Sequence, residues 1–284
     1  MKKYYIVVES GADLSREMIE KHDIRVAQMH VEFEGKDYLD DSVSIGELTG
    51  YYERTGKVPK TAGVSPNQYT EIFEEIKKEN PEAVVLHICY SAQLSCGFQS
   101  SLIADDDALQ IYRIDSKNVT IGQGLIIAKT IGLIQNEPEI KPEELVARIE
   151  AMAAKTRFCF VPGNLDYLRA GGRVSNAVHL GATLLKLRPL IEVIDGLMLS
   201  TKKYRGSEKR IVRSMLSDFF NRFNIDKEEV FCVYTRDINS DTKTEMEKLA
   251  EEAGIKNVLW FKAGGVITSH SGPGGIGIAG LEVG

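Results

Sequence analysis

Several things are missing from this 284-residue chain, and each absence removes a class of function. There is no basic excess: 35 Lys and Arg face 41 Asp and Glu, a net charge of −6. A nucleic-acid binder would ordinarily carry the opposite balance. No run approaches the ~20 apolar residues that a membrane span requires. The lysines at 2 and 3 precede an apolar stretch of only Tyr4–Val8, ended by Glu9, too short for a signal-peptide core. That stretch reads as a first β-strand, and the chain as cytoplasmic. The four cysteines, Cys89, Cys96, Cys159 and Cys232, form no C-x-x-C pair and no Cys/His cluster of zinc-site spacing. Three of them lie in apolar runs and read as small buried hydrophobes. Neither G-x-G-x-x-G after the first strand nor G-x-x-x-x-G-K-[ST] occurs, which removes the two common nucleotide cradles. No cofactor is expected.

What remains is ordinary globular composition, 43% hydrophobic and 27% charged, in a chain long enough for two domains. In the first half, apolar strand-like runs at 4–8, 83–89 and 110–114 alternate with helical patterns. Asp13 reads as the N-cap of a helix ending near Lys21, and Val26–Phe33 as one strand. Ser44 and Ser65-Pro66 read as helix starts. This alternation is the βαβ signature of a mostly parallel sheet. Later, Asp195-Gly196 between Arg188–Asp195 and Leu197–Tyr204 marks a β-hairpin with a type I′ turn. The expected fold is two α/β domains, 1–155 with a mostly parallel sheet and 156–284 with a mixed one. The division falls near residue 155, and the Pro- and Glu-rich stretch NEPEIKPEE before it reads as a hinge or linker.

The most informative stretch is 87–101, HICYSAQLSCGFQSS. A buried strand empties into a turn of small residues with a helix from about Leu94. One reading makes Ser95 or Cys96 a nucleophile, but the G-x-S-x-G elbow is only half present, and no base is evident nearby. His87 lies mid-strand and reads as a packed core histidine. The other reading is an anion grip. Ser10-Gly11, Thr61, Ser91–Gly97 and Asp115-Ser116 all fall at carboxyl ends of strands, where open parallel sheets bind ligands. Their hydroxyls and helix N-termini suit a carboxylate or phosphate. Helix capping explains one such serine, but not their concentration in several loops. His270, in the Ser/Gly-rich segment TSHSG, reads as a loop histidine at a site. Arg173 and Arg205 read as surface arginines that would form a cationic rim if they faced the same cleft.

These segments, taken together and in order, resemble the DegV family of bacterial fatty-acid-binding proteins over essentially the whole chain. The likeness rests on VVESGADL, PKTAGVSP, SAQLSCGFQSS, IDS, NLDYLRAGGRVS, LLKLRPLIEVIDGLM, KKYRG and SHSGPGGIGI. The resemblance implies a non-enzymatic, lipid-binding protein of phospholipid metabolism that buries one long-chain fatty acid. Thr61 and Ser95 would hold the carboxylate. His270, Arg173 and Arg205 would lie near the exposed head group and the face that docks a separate fatty-acid kinase. The chain departs from the family pattern in having Glu9-Ser10 for Asp-Ser, Ala62-Gly63-Val64 for Ser-Gln-Pro, and Cys96-Gly97 for Gly-Thr. Apolar material for an acyl tunnel stands at Leu125-Ile126-Ile127, Leu184-Leu185, Val266-Ile267 and Ile276. Two other readings are a stand-alone acyl- or phosphoryl-group enzyme using Cys96, Ser95 or His270, and a regulatory module with a vestigial pocket.

Overall fold

A computed structural model describes residues 4–175 and 187–284. The chain begins with β1 (Tyr4–Glu9), α1 (Arg16–His22), β2 (Arg25–Ala27), β3 (His30–Phe33) and β4 (Lys36–Leu39). There follow α2 (Ile45–Thr55), β5 (Lys60–Ala62), α3 (Pro66–Glu79), β6 (Val84–Cys89), α4 (Gly97–Ile103) and β7 (Gln110–Asp115). Then come α5 (Thr120–Asn136), α6 (Pro142–Lys155), β8 (Thr156–Val161), α7 (Leu165–Gly171), β9 (Leu187–Ile194) and β10 (Leu197–Arg205). The described chain closes with α8 (Glu208–Arg222), β11 (Glu229–Tyr234), α9 (Ser240–Glu252), β12 (Asn257–Lys262), α10 (Gly265–Ser271) and β13 (Ile276–Leu281).

The first sheet has the order β2-β1-β6-β7 and is parallel throughout. Every residue of β1 and β6 is buried, as a parallel strand covered on both faces must be. The second sheet, β10-β9-β8-β13-β11-β12, is mixed, and its antiparallel centre is β8-β13-β11. Asp195 and Gly196 both take positive φ, 49° and 83°, as the expected hairpin turn requires. A small third sheet, β4-β3-β5, stands apart from these two, with β3 and β4 joined through the turn at Glu34-Gly35 and β5 in a segment that shows no strand pattern.

The two large sheets share one helix. Ile121 and Leu125 of α5 pack with Phe158, Phe160 and Phe231 of the mixed sheet. Ile126, Ile127 and Ile131 pack with Ile6, Leu86 and Ile114 of the parallel sheet. A helix clamped between two cores has no solvated face, which is why α5 is apolar nearly all round. None of the described helices is long and apolar enough to cross a membrane.

Ser44 and Ser65 cap α2 and α3 as expected, and Ser65 forms a full capping box with Gln68. Four expectations need correction. Ser15, not Asp13, caps α1; Asp13 is buried and turned inward. The run Val26–Phe33 breaks at Gln28-Met29 and serves two sheets, β2 against β1 and β3 against β4 and β5. α4 starts at Gly97, because the amides of Leu94 and Ser95 both turn back to the Ser91 carbonyl. His270 stands on a helix, α10, and not in a loop. Glycines 264 and 265 masked that helix in the sequence, since glycine is a poor helix former. Leu184 and Leu185 lie outside the described residues.

Candidate functional site

Thr61 stands in the middle of β5, an antiparallel strand that pairs it with Val31 of β3, and not at the carboxyl end of a parallel strand as expected. α10 packs across β3, β5, α2 and α7, and so brings His270 to Thr61 from 209 residues away. The Thr61 hydroxyl and His270 Nε2 are 2.9 Å apart. His270 Nδ1 is shut away from solvent and has no hydrogen-bond partner. It lies against Gly171, where a β-carbon would stand 2.3 Å from it. A proton on Nδ1 would be an orphaned buried donor, so the proton belongs on Nε2 and donates to Thr61. Burial, and then the positive charge of Arg173, lower the histidine pKa to about 4. The ring is therefore neutral at physiological pH, and it leaves the Thr61 O–H free to donate outward.

Ser95 occupies the turn between β6 and α4. Its hydroxyl oxygen accepts the Gly97 amide at 3.3 Å, which likewise leaves the O–H available. Gly63 faces this turn, and a β-carbon there would lie 2.6 Å from Cys96 Sγ and 3.1 Å from Ser95 Oγ. Glycine at 63 is thus what lets the 60–64 segment approach Ser95 and Cys96. Arg173 follows the left-handed Gly172 (φ 64°) that ends α7, and donates to the carbonyls of Gly171 and Leu94. Thr61, Ser95, Cys96, Arg173 and His270 all line one cleft of about 310 Å³.

Arg205 is not brought there. It ends β10, and at about 3.3 Å of rise per residue it stands roughly 20 Å beyond Met198, the β10 residue that lines the cleft. Most of the other strand-end hydroxyls are structural. Ser91 donates to the Gly196 carbonyl of the hairpin turn, Ser10 donates to Asp40, and Ser116 donates to the Asn118 carbonyl.

Beside the cleft lies a narrow apolar cavity of about 30 Å³, lined by Val119, Phe158, Phe160, Val233, Ile267 and Ile276 among others. Tyr90, Met198 and His270 line both spaces. Of the apolar residues singled out in the sequence, Ile267 and Ile276 line this cavity, whereas Ile126 and Ile127 belong to the core of the parallel sheet.

Three buried carboxylates went unrecognised in the sequence. Asp13 and Asp40 accept the amides of Gly264 and Val266, both at 2.8 Å, and so hold the start of α10. Burial raises the pKa of each, that of Asp13 to about 8. Glu9 is fully buried and accepts four hydrogen bonds, from Tyr69, His87, Gln123 and the Tyr90 amide. Burial would raise its pKa, but His87 together with the bonds from His87, Tyr69 and Tyr90 holds it below the ordinary value. One signal was available: a glutamate closing an apolar strand needs partners if it is buried.

Glu9, His87 and Cys89 bring possible metal-ligand atoms within 4.8 Å of one another. Both nitrogens of His87 are already engaged, by Glu9 and by Ser101, so the group forms a hydrogen-bond network rather than a vacant coordination sphere. A nucleophile–base pair through Cys96 or Ser95 is equally unsupported, because His270 bonds Thr61 and nothing orients its other nitrogen.

The DegV family model matches residues 3–282. The chain belongs to the DegV family. A DegV domain-containing protein of Clostridium perfringens is 31% identical over 276 residues, covering 96% of each chain. Among solved structures, a DegV family protein from Thermus thermophilus, described for its fatty-acid binding, superposes with a TM-score of 0.87 at 22% identity, covering 99% of this chain and 100% of that one. DegV from Bacillus subtilis, described as a fatty acid binding protein, gives 0.81 at 23% identity and covers each chain fully.

Proposed function

We propose that this DegV family member is a cytoplasmic, non-enzymatic carrier of a long-chain fatty acid. Thr61 and Ser95 donate their hydroxyls to the carboxylate, and the acyl chain enters the apolar cavity. One observation carries the reading: the hydroxyl-lined cleft and the apolar cavity share Tyr90, Met198 and His270. A molecule with an anionic head and a hydrocarbon tail fits such a junction. The fatty-acid binding described for the Thermus and Bacillus relatives supports it.

Burial contributes about 0.8 kcal/mol per methylene, so the tail supplies most of the affinity. The hydroxyls satisfy the desolvated carboxylate and fix its register. The cavity holds about 30 Å³, so a long chain enters by parting the side chains around it. Phe158, Phe160 and Met198 are the lining groups with volume to yield. We further read the chain as two units, 1–155 and 156–284, with the lipid between them.

Native mass spectrometry of the protein purified from cells, followed by addition of palmitic acid, tests the carrier reading. A protein that copurifies with no fatty acid and takes up none refutes it. The carrier reading extends to presentation of the bound acid to a separate fatty-acid kinase, with the exposed Arg173 at the rim. That extension predicts ATP-dependent acyl phosphate when the loaded protein meets such a kinase. Failure of a loaded protein to support this reaction removes the extension alone.

A further inference from the structure

Glu9 ends β1 directly beneath the turn that carries Ser95, and it touches that turn at both ends. Its Oε2 accepts the Tyr90 amide at 2.7 Å, where the turn leaves β6, and Gln123 Nε2 of α5 at 3.1 Å. Its Oε1 accepts the Tyr69 hydroxyl at 2.7 Å and lies 3.0 Å from His87 Nε2. At the far end of the turn, a β-carbon on Gly97 would stand 2.7 Å from that same Oε1 and 3.1 Å from the Tyr69 oxygen. The carboxylate therefore occupies the space that a side chain at 97 would fill. The Gly97 amide in turn bonds Ser95 Oγ.

The carboxylate is braced from behind. Arg113 Nε donates to Ser101 Oγ at 2.9 Å, and Ser101 lies 2.9 Å from His87 Nδ1. Both ring nitrogens of His87 are thus engaged, and Nε2 donates to Glu9.

We propose that Glu9 is the positioning residue of the anion grip, holding the 90–97 turn at Tyr90 and Gly97 so that Ser95 presents its hydroxyl to the ligand head group. The proposal rests on the fatty-acid reading for the identity of the ligand, but the mechanical link from Glu9 to the turn does not. Its distinctive consequence is a match of size. Glutamate at 9 requires glycine at 97, so a shorter acid at 9 and a larger residue at 97 should each disturb the turn and together repair it.

The test compares Glu9→Asp, Gly97→Ala and the double variant, using palmitic acid and hexadecanol as probes. The two probes share a tail and differ in the charge of the head. Loss of one hydrogen bond to a charged group corresponds to about 10-fold or more in affinity. Each single variant should therefore bind palmitic acid at least ~10-fold more weakly while its affinity for hexadecanol holds, and the double variant should return to within about threefold of wild type. Amide hydrogen exchange at Tyr90 and Gly97, without lipid, should accelerate in Glu9→Asp and recover in the double variant. If Glu9→Asp does not fold, Glu9→Gln keeps the side-chain length and loses an acceptor. It should show the same drop in acid-over-alcohol preference with no rescue by Gly97→Ala. Unchanged exchange and unchanged preference, or simple additivity in the double variant, would overturn the proposal. A wild-type protein that binds neither probe overturns the fatty-acid reading instead, and the exchange data then decide the role of Glu9 alone.

Discussion

The cleft around Thr61 and the cavity around Phe160 meet at Tyr90, Met198 and His270, yet opposite constraints shape them. The cleft is made of hydroxyls whose orientations are set from behind. His270 fixes Thr61, and Gly97 occupies the Ser95 oxygen. Behind these lie fully or nearly buried acids: Glu9 under the turn, and Asp13 and Asp40 at the start of α10. The cavity is held differently. Most of its walls are apolar core side chains placed by packing, such as Phe158, Phe160, Val233 and Ile276, while Thr120 and Thr235 are anchored by hydrogen bonds to Asp13 and to the Gly272 carbonyl. Apolar packing fills space without regard to direction, whereas a hydrogen bond must point. The cleft therefore demands a rigid support, and the cavity can be remodelled by its occupant.

Changes on the apolar side should strike stability, and changes on the polar side should strike recognition. Phe160→Ala removes a buried ring and should cost about 3–5 kcal/mol of stability, measured by urea unfolding. The acid-over-alcohol preference of the folded fraction should survive. A loss of preference with intact stability would erase the distinction. Ser95→Ala and Thr61→Val should each weaken palmitic acid binding by about 1–3 kcal/mol, measured by titration calorimetry. Unchanged affinity in both would place the head group elsewhere.

Two pH effects sharpen the contrast, and both act through α10. The pKa of His270 falls from 6.5 to about 4 on folding. As pH drops through that window the unfolded chain takes up a proton that the folded ring refuses, so stability declines. His270→Gln should remove this part of the acid-side loss. Asp13 behaves oppositely, rising from 3.8 to about 8. Its contribution is full below pH 3.8 and is lost as pH rises toward 8, because the unfolded carboxyl sheds a proton that the folded one keeps. Asp13→Asn should flatten that limb in urea midpoints recorded from pH 4 to 8. The smallest effect is expected at Arg205, far along β10 from the cleft. Arg205→Ala should change palmitic acid affinity and stability by no more than about 0.5 kcal/mol. A larger loss of affinity would bring this arginine back to the site.

Much of this architecture could be read in order along the chain. The buried runs of β1 and β6, the Ser65 capping box and the Asp195-Gly196 turn are local patterns with local causes. Thr61, Ser95, Arg173 and His270 were picked out singly, by small hydroxylic turns and by motif likeness, and all four line one cleft. The failures share a physical origin. α10 begins with Gly265 after a second glycine, Gly264, at its N-cap, and its buried start is supported by carboxylates more than 200 residues earlier. The run at 26–33 kept a strand-like pattern across a break that only its two different partner strands explain.

By itself, then, the sequence determined the alternating α/β plan, the burial of Cys89, Cys159 and Cys232, and the hydroxyl groups available for an anion. Those follow from periodicity and from the chemistry of single residues. Tertiary structure alone decided that Thr61 meets His270, that Arg205 stands apart from Arg173, and that Glu9 fills the space beside Gly97. The reason is that burial and hydrogen bonding of a charged or polar group depend on partners supplied from elsewhere in the chain. Glu9 reads as the end of a strand until Tyr69, His87, Tyr90 and Gln123 converge on it.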